Sequence, residues 1–168
     1  MNYLQMKKEN WKKLSEDCKK ANLYSMFWAK LTLQVEPGVL IPRPETAELC
    51  EWIEKDATEN KGITEGEKEE NTIRILDICT GSGCIAITLG LDIGGWEVTG
   101  WDISEDALKI AQGNVALLDA GNVNIEYQDA LKLAETSDAG RWNIIVSNPP
   151  YICEKEKADM EKNVLEHE

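Results

Sequence analysis

Apolar and polar positions along this chain follow two periods, and the switches between them mark its elements. Over residues 3–23, Tyr3, Leu4, Trp11, Leu14 and Cys18 fall on one stripe between lysines and acids, which predicts a helix. From Phe27 to Val35 the pattern alternates. Glu36-Pro37-Gly38 then turns the chain and Val39-Leu40-Ile41 follows, which predicts a β-hairpin. Pro42 and Pro44 forbid helix before Pro44, a residue suited to a first turn. A helix is expected from there to about Lys55, with Leu49, Trp52 and Ile53 apolar. Residues 54–72 are dominated by Glu, Lys, Asp, Gly, Asn and Thr and read as a solvated loop.

From Thr72 a unit of apolar strand, turn and helix repeats. Ile73–Ile78, Glu97–Ile103, Asn122–Asp129 and Asn143–Asn148 read as four strands. Cys84–Leu91 and Ser104–Ala120 read as helices, the second with Ser104 as N-cap and Glu105 and Asp106 in its first turn. Strands alternating with helices predict an α/β fold with a mostly parallel sheet and right-handed crossovers.

Composition narrows the chemistry. The 168 residues suffice for one domain with a core, and no apolar stretch approaches the ~20 residues that span a bilayer. The polar start, Met1 to Lys13, lacks the apolar region of a signal peptide, so a cytoplasmic setting is expected. Cys18, Cys50, Cys79, Cys84 and Cys153 form no CxxC pair, so free thiols are expected rather than a zinc site or disulfides. His167 is the one histidine, which excludes Ser-His-Asp, Cys-His and multi-histidine metal chemistry. An enzyme built from this chain works through a cofactor, carboxylates and backbone groups. The net charge of −13 argues against a nucleic-acid partner, which calls for a basic footprint.

Two segments carry candidate chemistry. Asp77-Ile78-Cys79-Thr80-Gly81-Ser82-Gly83 follows the first of the four strands and opens a helix, and residues Gly81 to Ala86 fit GxGxxA. Glycines let backbone approach a ligand, and the helix N-terminus offers free N–H groups. Asp102 ends the next strand about 20 residues on, where an acid can accept bonds from ribose hydroxyls. Asp77 would repel a pyrophosphate but suits the cationic amino-acid end of S-adenosylmethionine, which favours that methyl donor over a dinucleotide.

The second segment, Ser147-Asn148-Pro149-Pro150-Tyr151-Ile152, leaves the fourth strand at the same sheet end. Two prolines remove two N–H donors and stiffen the backbone. What is left is a rim of carbonyl acceptors plus the Asn148 side chain, suited to a planar NH₂ group, with Tyr151 able to stack on it. A carboxamide nitrogen is a poor nucleophile, and holding its N–H groups on acceptors aims it at a sulfonium methyl without histidine.

These segments resemble the HemK-type family of protein-(glutamine-N5) methyltransferases. The likeness runs from about Phe27 to the end through VLIPRPET (Val39–Thr46), DICTGSGCIAI (Asp77–Ile87), WDIS (Trp101–Ser104), IVSNPPYI (Ile145–Ile152) and VLEHE (Val164–Glu168). The resemblance implies a Rossmann-like class I methyltransferase core. It implies methyl transfer from S-adenosylmethionine to the glutamine of the Gly-Gly-Gln motif of peptide chain release factors. By that likeness Asp77, Cys79, Thr80, Gly81 and Gly83 meet the donor's methionine part, Asp102 and Ile103 its nucleoside, and Asp129 and Ala130 its adenine. Asn148, Pro149 and Pro150 bind the glutamine amide beside Tyr151. Arg43, Pro44, Glu45 and Thr46 line the substrate's approach, although Arg43 reads equally as a structural ion pair and Glu45 as structural.

The sequence departs from that pattern at Cys79 and Ala29, where glycine is usual, at Ala47 for glutamate and at Asn143 for aspartate. The resemblance further implies a chain shortened at both ends: 1–26 as the remnant of a recognition domain, 27–43 as the hairpin linker and 44–168 as a partial catalytic domain. The fourth strand is then an open edge, expected to self-associate or to be covered by the N-terminal segment. Other readings stay open: a ribosomal-protein glutamine or nucleic-acid N-methyltransferase, a nicotinamide-dependent oxidoreductase, and a non-catalytic donor-binding fragment.

Overall fold

The alternation after Tyr24 produces a hairpin whose turn lies earlier than the Glu36-Pro37-Gly38 signal suggests. In the computed structural model, which describes residues 24–36, 39–61, 72–135 and 140–150, β1 (Tyr24–Trp28) pairs antiparallel with β2 (Leu31–Val35). The connection is Ala29-Lys30, with φ of 44° and 69°. Both values are positive, as in the two-residue turn whose twist matches the flanking strands. Neither residue is a glycine or an asparagine, so the sequence reads as unbroken strand. A turn does follow at Glu36, whose carbonyl accepts the Val39 N–H at 3.2 Å, but no strand comes after it. The expected helix over 3–23 lies outside the described residues.

Helix α1 (Pro44–Lys61) starts at Pro44 as expected but continues past Lys55 through the charged stretch. Thr46, Cys50 and Ala57 recur at helical spacing and are all buried, and this stripe carries the helix onward. Its Glu, Lys and Ala residues are good helix formers, so polar composition alone did not mark a loop.

The remaining elements are β3 (Arg74–Ile78), α2 (Cys84–Asp92), β4 (Glu97–Asp102), α3 (Glu105–Leu117), β5 (Val123–Tyr127), a 3₁₀ turn (Ala130–Glu135) and β6 (Ile144–Ser147). Ser104 caps α3, its side chain accepting the Ala107 N–H. The four strands are parallel in the order β5-β4-β3-β6, an α/β Rossmann-like sheet. On one face Ile75, Val98, Val123 and Val146 pack with Ile85 and Leu89 of α2 and Cys50 and Ala57 of α1.

On the other face Leu76 and Trp101 are also buried. The described part of the β5–β6 crossover holds only the 3₁₀ turn, and Trp142 closes edge-on against Trp101 with ring centroids 6.1 Å apart. The Trp101 indole donates to Glu126 Oε2 at 3.2 Å. Among the described residues, no helix is long and apolar enough to cross a membrane.

Candidate functional site

The parallel strands all end at one edge of the sheet, so the residues just past them stand side by side. At roughly 4.8 Å per strand, the line from β5 to β6 spans about 14 Å. Along it lie Asp129, Asp102, the glycine turn after β3, and Asn148.

The turn is built by positive φ angles: Cys79 at 60°, Gly81 at 56° and Gly83 at 79°. Thr80 N–H donates to the Trp101 carbonyl at 3.0 Å and Gly83 N–H to the Thr80 carbonyl at 2.9 Å, so the turn is tied to β4 and to itself. Gly83 caps α2 with no side-chain bond, which leaves backbone N–H groups at the helix start for a ligand. Gly83 also permits close packing: a Cβ there would lie 3.2 Å from the Ala111 Cβ.

Two carboxylates flank the turn. Asp102 is half-buried; its Oδ2 accepts the Gly81 N–H at 2.9 Å and its Oδ1 the Ser104 N–H at 3.0 Å. A carboxylate has about four acceptor positions, so both oxygens retain capacity for hydroxyls. Asp77 is fully buried beneath the turn, its Oδ2 accepting the Thr80 hydroxyl at 2.6 Å. Its Oδ1 has no partner among the described residues. Burial pushes the Asp77 carboxyl up to about 7, with the Thr80 hydroxyl and the Ala86 N–H of α2 pulling it back. An orphaned buried oxygen under an N–H-rich turn is the environment in which a nearby cation is stabilising. The residues present therefore fit a donor with a cationic amino-acid end and a ribose.

Ile103 is exposed beside Asp102. Asp129 accepts the Leu131 N–H at 3.0 Å and pairs with Lys132 at 3.6 Å, which opens the 3₁₀ turn containing Ala130.

Across β3, the Ile78–Ser147 register brings Asn148 level with Cys79. The Ser147 hydroxyl donates to the Ile78 carbonyl at 2.8 Å, joining the acceptor strand to the root of the turn. Asn148 Nδ2 donates to Thr46 Oγ1 at 3.2 Å, while Pro149 and Pro150 are exposed. Of the expected approach residues, Arg43 and Glu45 are exposed and Pro44 half-buried, but Thr46 is buried and faces Asn148. Tyr151 lies outside the described residues.

Cys50, Cys79 and Cys84 are free thiols, and Cys18 and Cys153 lie outside the described residues. Burial pushes the Cys84 thiol up to about 12 and also raises Cys50 and Cys79, so none is a thiolate at neutral pH. No cluster of His, Cys, Asp and Glu among the described residues could hold a metal.

Three contributors escaped the sequence reading. Ser147 stands at the head of the acceptor segment, but its bond to the Ile78 carbonyl has no signal in the sequence. Asn114, fully buried in α3, bonds the carbonyls of Gln34 and Ser82. A Cβ on Gly100 would lie 2.7 Å from the Thr80 hydroxyl oxygen. A lone glycine inside a strand was the available signal for that close approach.

Comparison with known proteins agrees with this arrangement. Release factor glutamine methyltransferase from Bacteroides thetaiotaomicron is 47% identical over 145 residues, covering 86% of this chain and 47% of that protein. The protein of the same name from Leptospira interrogans is 40% identical over 134 residues, covering 80% and 44%. The chain thus spans about half the length of these curated relatives. Among solved structures, the human methyltransferase 10 domain containing protein superposes with a TM-score of 0.60 at 18% identity, over 90% of this chain and 64% of that one. A SAM-dependent methyltransferase from Agrobacterium tumefaciens gives a TM-score of 0.58 at 18% identity, over 77% and 40%. At such identities these two speak to the fold. The profile described as "Methyltransferase small domain" matches residues 65–167, the stretch holding the glycine turn, Asp102 and Asn148-Pro149-Pro150. The chain therefore belongs to the methyltransferase small domain family.

Proposed function

We propose that this chain carries the methyl-transfer centre of a protein glutamine methyltransferase, with S-adenosylmethionine as donor and the Gly-Gly-Gln glutamine of a peptide chain release factor as acceptor. The observation that carries the reading is the β3–β6 register, in which Ser147 pairs with Ile78, so that the Asn148-Pro149 segment follows directly where the glycine turn begins. The release factor glutamine methyltransferase names borne by relatives at 47% and 40% identity support the substrate. When bound, the donor supplies an electrophilic methyl on a sulfonium.

The chain's residues do the rest. Asp102 holds the ribose hydroxyls, with Ile103 and the Asp129-Ala130 segment bordering the adenine. The N–H groups that the turn leaves open at the start of α2 and the buried Asp77 charge favour the amino-acid end. Asn148 Oδ1 and the Pro149 carbonyl accept the two N–H groups of the glutamine amide. Held in this way, the nitrogen presents its lone-pair face to the methyl, and the acceptors stabilise the positive charge that develops on it. As the N–CH₃ bond forms, the S–CH₃ bond breaks, and the nitrogen gives up one proton to solvent.

The test offers labelled donor with release factor, ribosomal protein and DNA to the chain. Label on release factor is expected, and Asn148→Ala removes it. Label on DNA alone overturns the choice of acceptor. A translation-factor substrate goes with a cytoplasmic setting. The reading extends to the sheet edge: β6 is the last strand of the described sheet, and Ile145 on it is 53% exposed. Two copies pairing along β6 would cover it. Sedimentation is expected to give a dimer, and a monomer at all concentrations rejects this pairing.

A further inference from the structure

Thr46 and Asn148 are 102 residues apart in sequence and joined by one hydrogen bond. We infer that Thr46 is a positioning residue that anchors the Asn148 amide at the acceptor site, with Oδ1 left toward the incoming group. This rests on the function proposed above.

The constraint on Thr46 comes from α1. Pro44 starts the helix, and the Thr46 N–H closes onto the Arg43 carbonyl at 3.0 Å. The side chain is only 6% exposed, so little water reaches its hydroxyl. Threonine is β-branched and stiff about χ1, so its oxygen stays where the helix puts it. The constraint on Asn148 comes from Pro149, which restricts the preceding backbone to extended conformations. Two rigid anchors therefore hold one amide between them.

An asparagine amide has a donor branch and an acceptor branch. With Nδ2 bonded to Thr46, Oδ1 is the branch left for a ligand, and it accepts an N–H. Loss of the Thr46 hydroxyl leaves the Asn148 side chain held at its backbone end only, and its amide is then free to leave the place where a ligand N–H would meet it. A polar group left unpaired in such a site costs about 1–3 kcal/mol, and here the loss falls on the step in which the bound nitrogen must face the methyl.

The test uses Thr46→Val, which keeps the shape and removes the acceptor, and Thr46→Ser, which keeps the acceptor. In the ¹⁵N-labelled chain, the Asn148 side-chain amide is assigned by its loss in Asn148→Ala. One Nδ2 proton is expected to be shifted and protected in the wild type and in Thr46→Ser. In Thr46→Val both protons should move to free-amide positions and exchange roughly tenfold faster or more, the kinetic equivalent of losing one bond. A Thr46→Val spectrum with unchanged Asn148 signals overturns the inference, whatever the substrate.

Activity supplies the second readout. Thr46→Val should lower kcat roughly 10- to 100-fold, the scale of a misplaced reacting group, with donor Kd and KM within about threefold. Thr46→Ser should recover most of that loss. A retained kcat in a folded Thr46→Val protein also overturns it. If the wild type methylates no release factor, the proposed function fails, and the Asn148 resonances still decide the role of Thr46.

Discussion

Asn114 treats Gln34 as a neighbouring strand would. Its Oδ1 accepts the Gln34 N–H at 2.7 Å, and its Nδ2 donates to the Gln34 carbonyl at 2.9 Å. The second Nδ2 hydrogen goes to the Ser82 carbonyl, also at 2.9 Å. One fully buried side chain on α3 thus joins the hairpin to the glycine turn. Asn114→Ala leaves three backbone groups unpaired and should destabilise the protein by about 3 kcal/mol. Urea unfolding checks this, and donor affinity should fall with it because the turn loses a support. An unchanged midpoint would show that the hairpin is held by other contacts.

Cys79 sits in the left-handed region, φ 60°, where a Cβ is unfavourable by roughly 1–2 kcal/mol. Its thiol is half-buried, and the weak hydrogen bond it shares with Ser147 contributes less than the strain. Cys79→Gly should therefore stabilise the chain by about 1 kcal/mol after the entropic cost of glycine, raising Tm by roughly 2–5 °C. Gly81→Ala, at φ 56°, should move Tm the other way. A thermal melt of both variants checks the pair, and a Cys79→Gly protein melting at or below wild type refutes the strain argument.

The sheet was legible because its strands are short apolar runs between strong punctuation. Gly81 and Gly83 mark the turn, Ser104 marks a helix start, and Asn148-Pro149-Pro150 marks a strand end. The hairpin turn was not legible, because Ala29 and Lys30 adopt positive φ without the residues that advertise it. The length of α1 was missed because a stripe as sparse as Cys50 and Ala57 hides among acids. The links that assemble the site, Thr46 to Asn148 and Asn114 to Gln34, join residues 102 and 80 apart. Local pattern carries no record of such pairings, since they arise only once the elements pack.

Gly100 in β4 leaves room for the Thr80 side chain. An added Cβ would lie 2.7 Å from Thr80 Oγ1 and 2.9 Å from Ile125 Cδ1. The hydroxyl must then leave Asp77 Oδ2, to which it donates at 2.6 Å. Gly100→Ala should cost about 1–3 kcal/mol and weaken donor binding. Because the clash is mainly with Thr80, the cost should shrink in a Thr80→Ala background. A double-mutant cycle measures this, and additive costs would place the strain elsewhere.

Asp77 gives stability a pH dependence of defined sign. Burial pushes its carboxyl up to about 7 from an ordinary 3.8. Between about pH 4 and 7 the folded chain keeps a proton that the unfolded chain has lost. Its share of stability is therefore present below the unfolded value and is lost as pH rises through the folded one. Glu54, raised to about 7 by burial and by Asp92, adds a slope of the same sign. The buried Cys84 thiol, at about 12, stays outside this window. Urea midpoints should thus be lower at pH 7.5 than at pH 5, and Asp77→Asn should reduce the difference while leaving the Glu54 share. A cationic donor favours the ionised carboxyl, so its binding near neutral pH should release a proton. Calorimetry in buffers of different ionisation enthalpy should detect that release in the wild type and lose it in Asp77→Asn. Equal pH slopes in the two proteins, with equal proton release, would remove Asp77 from both roles.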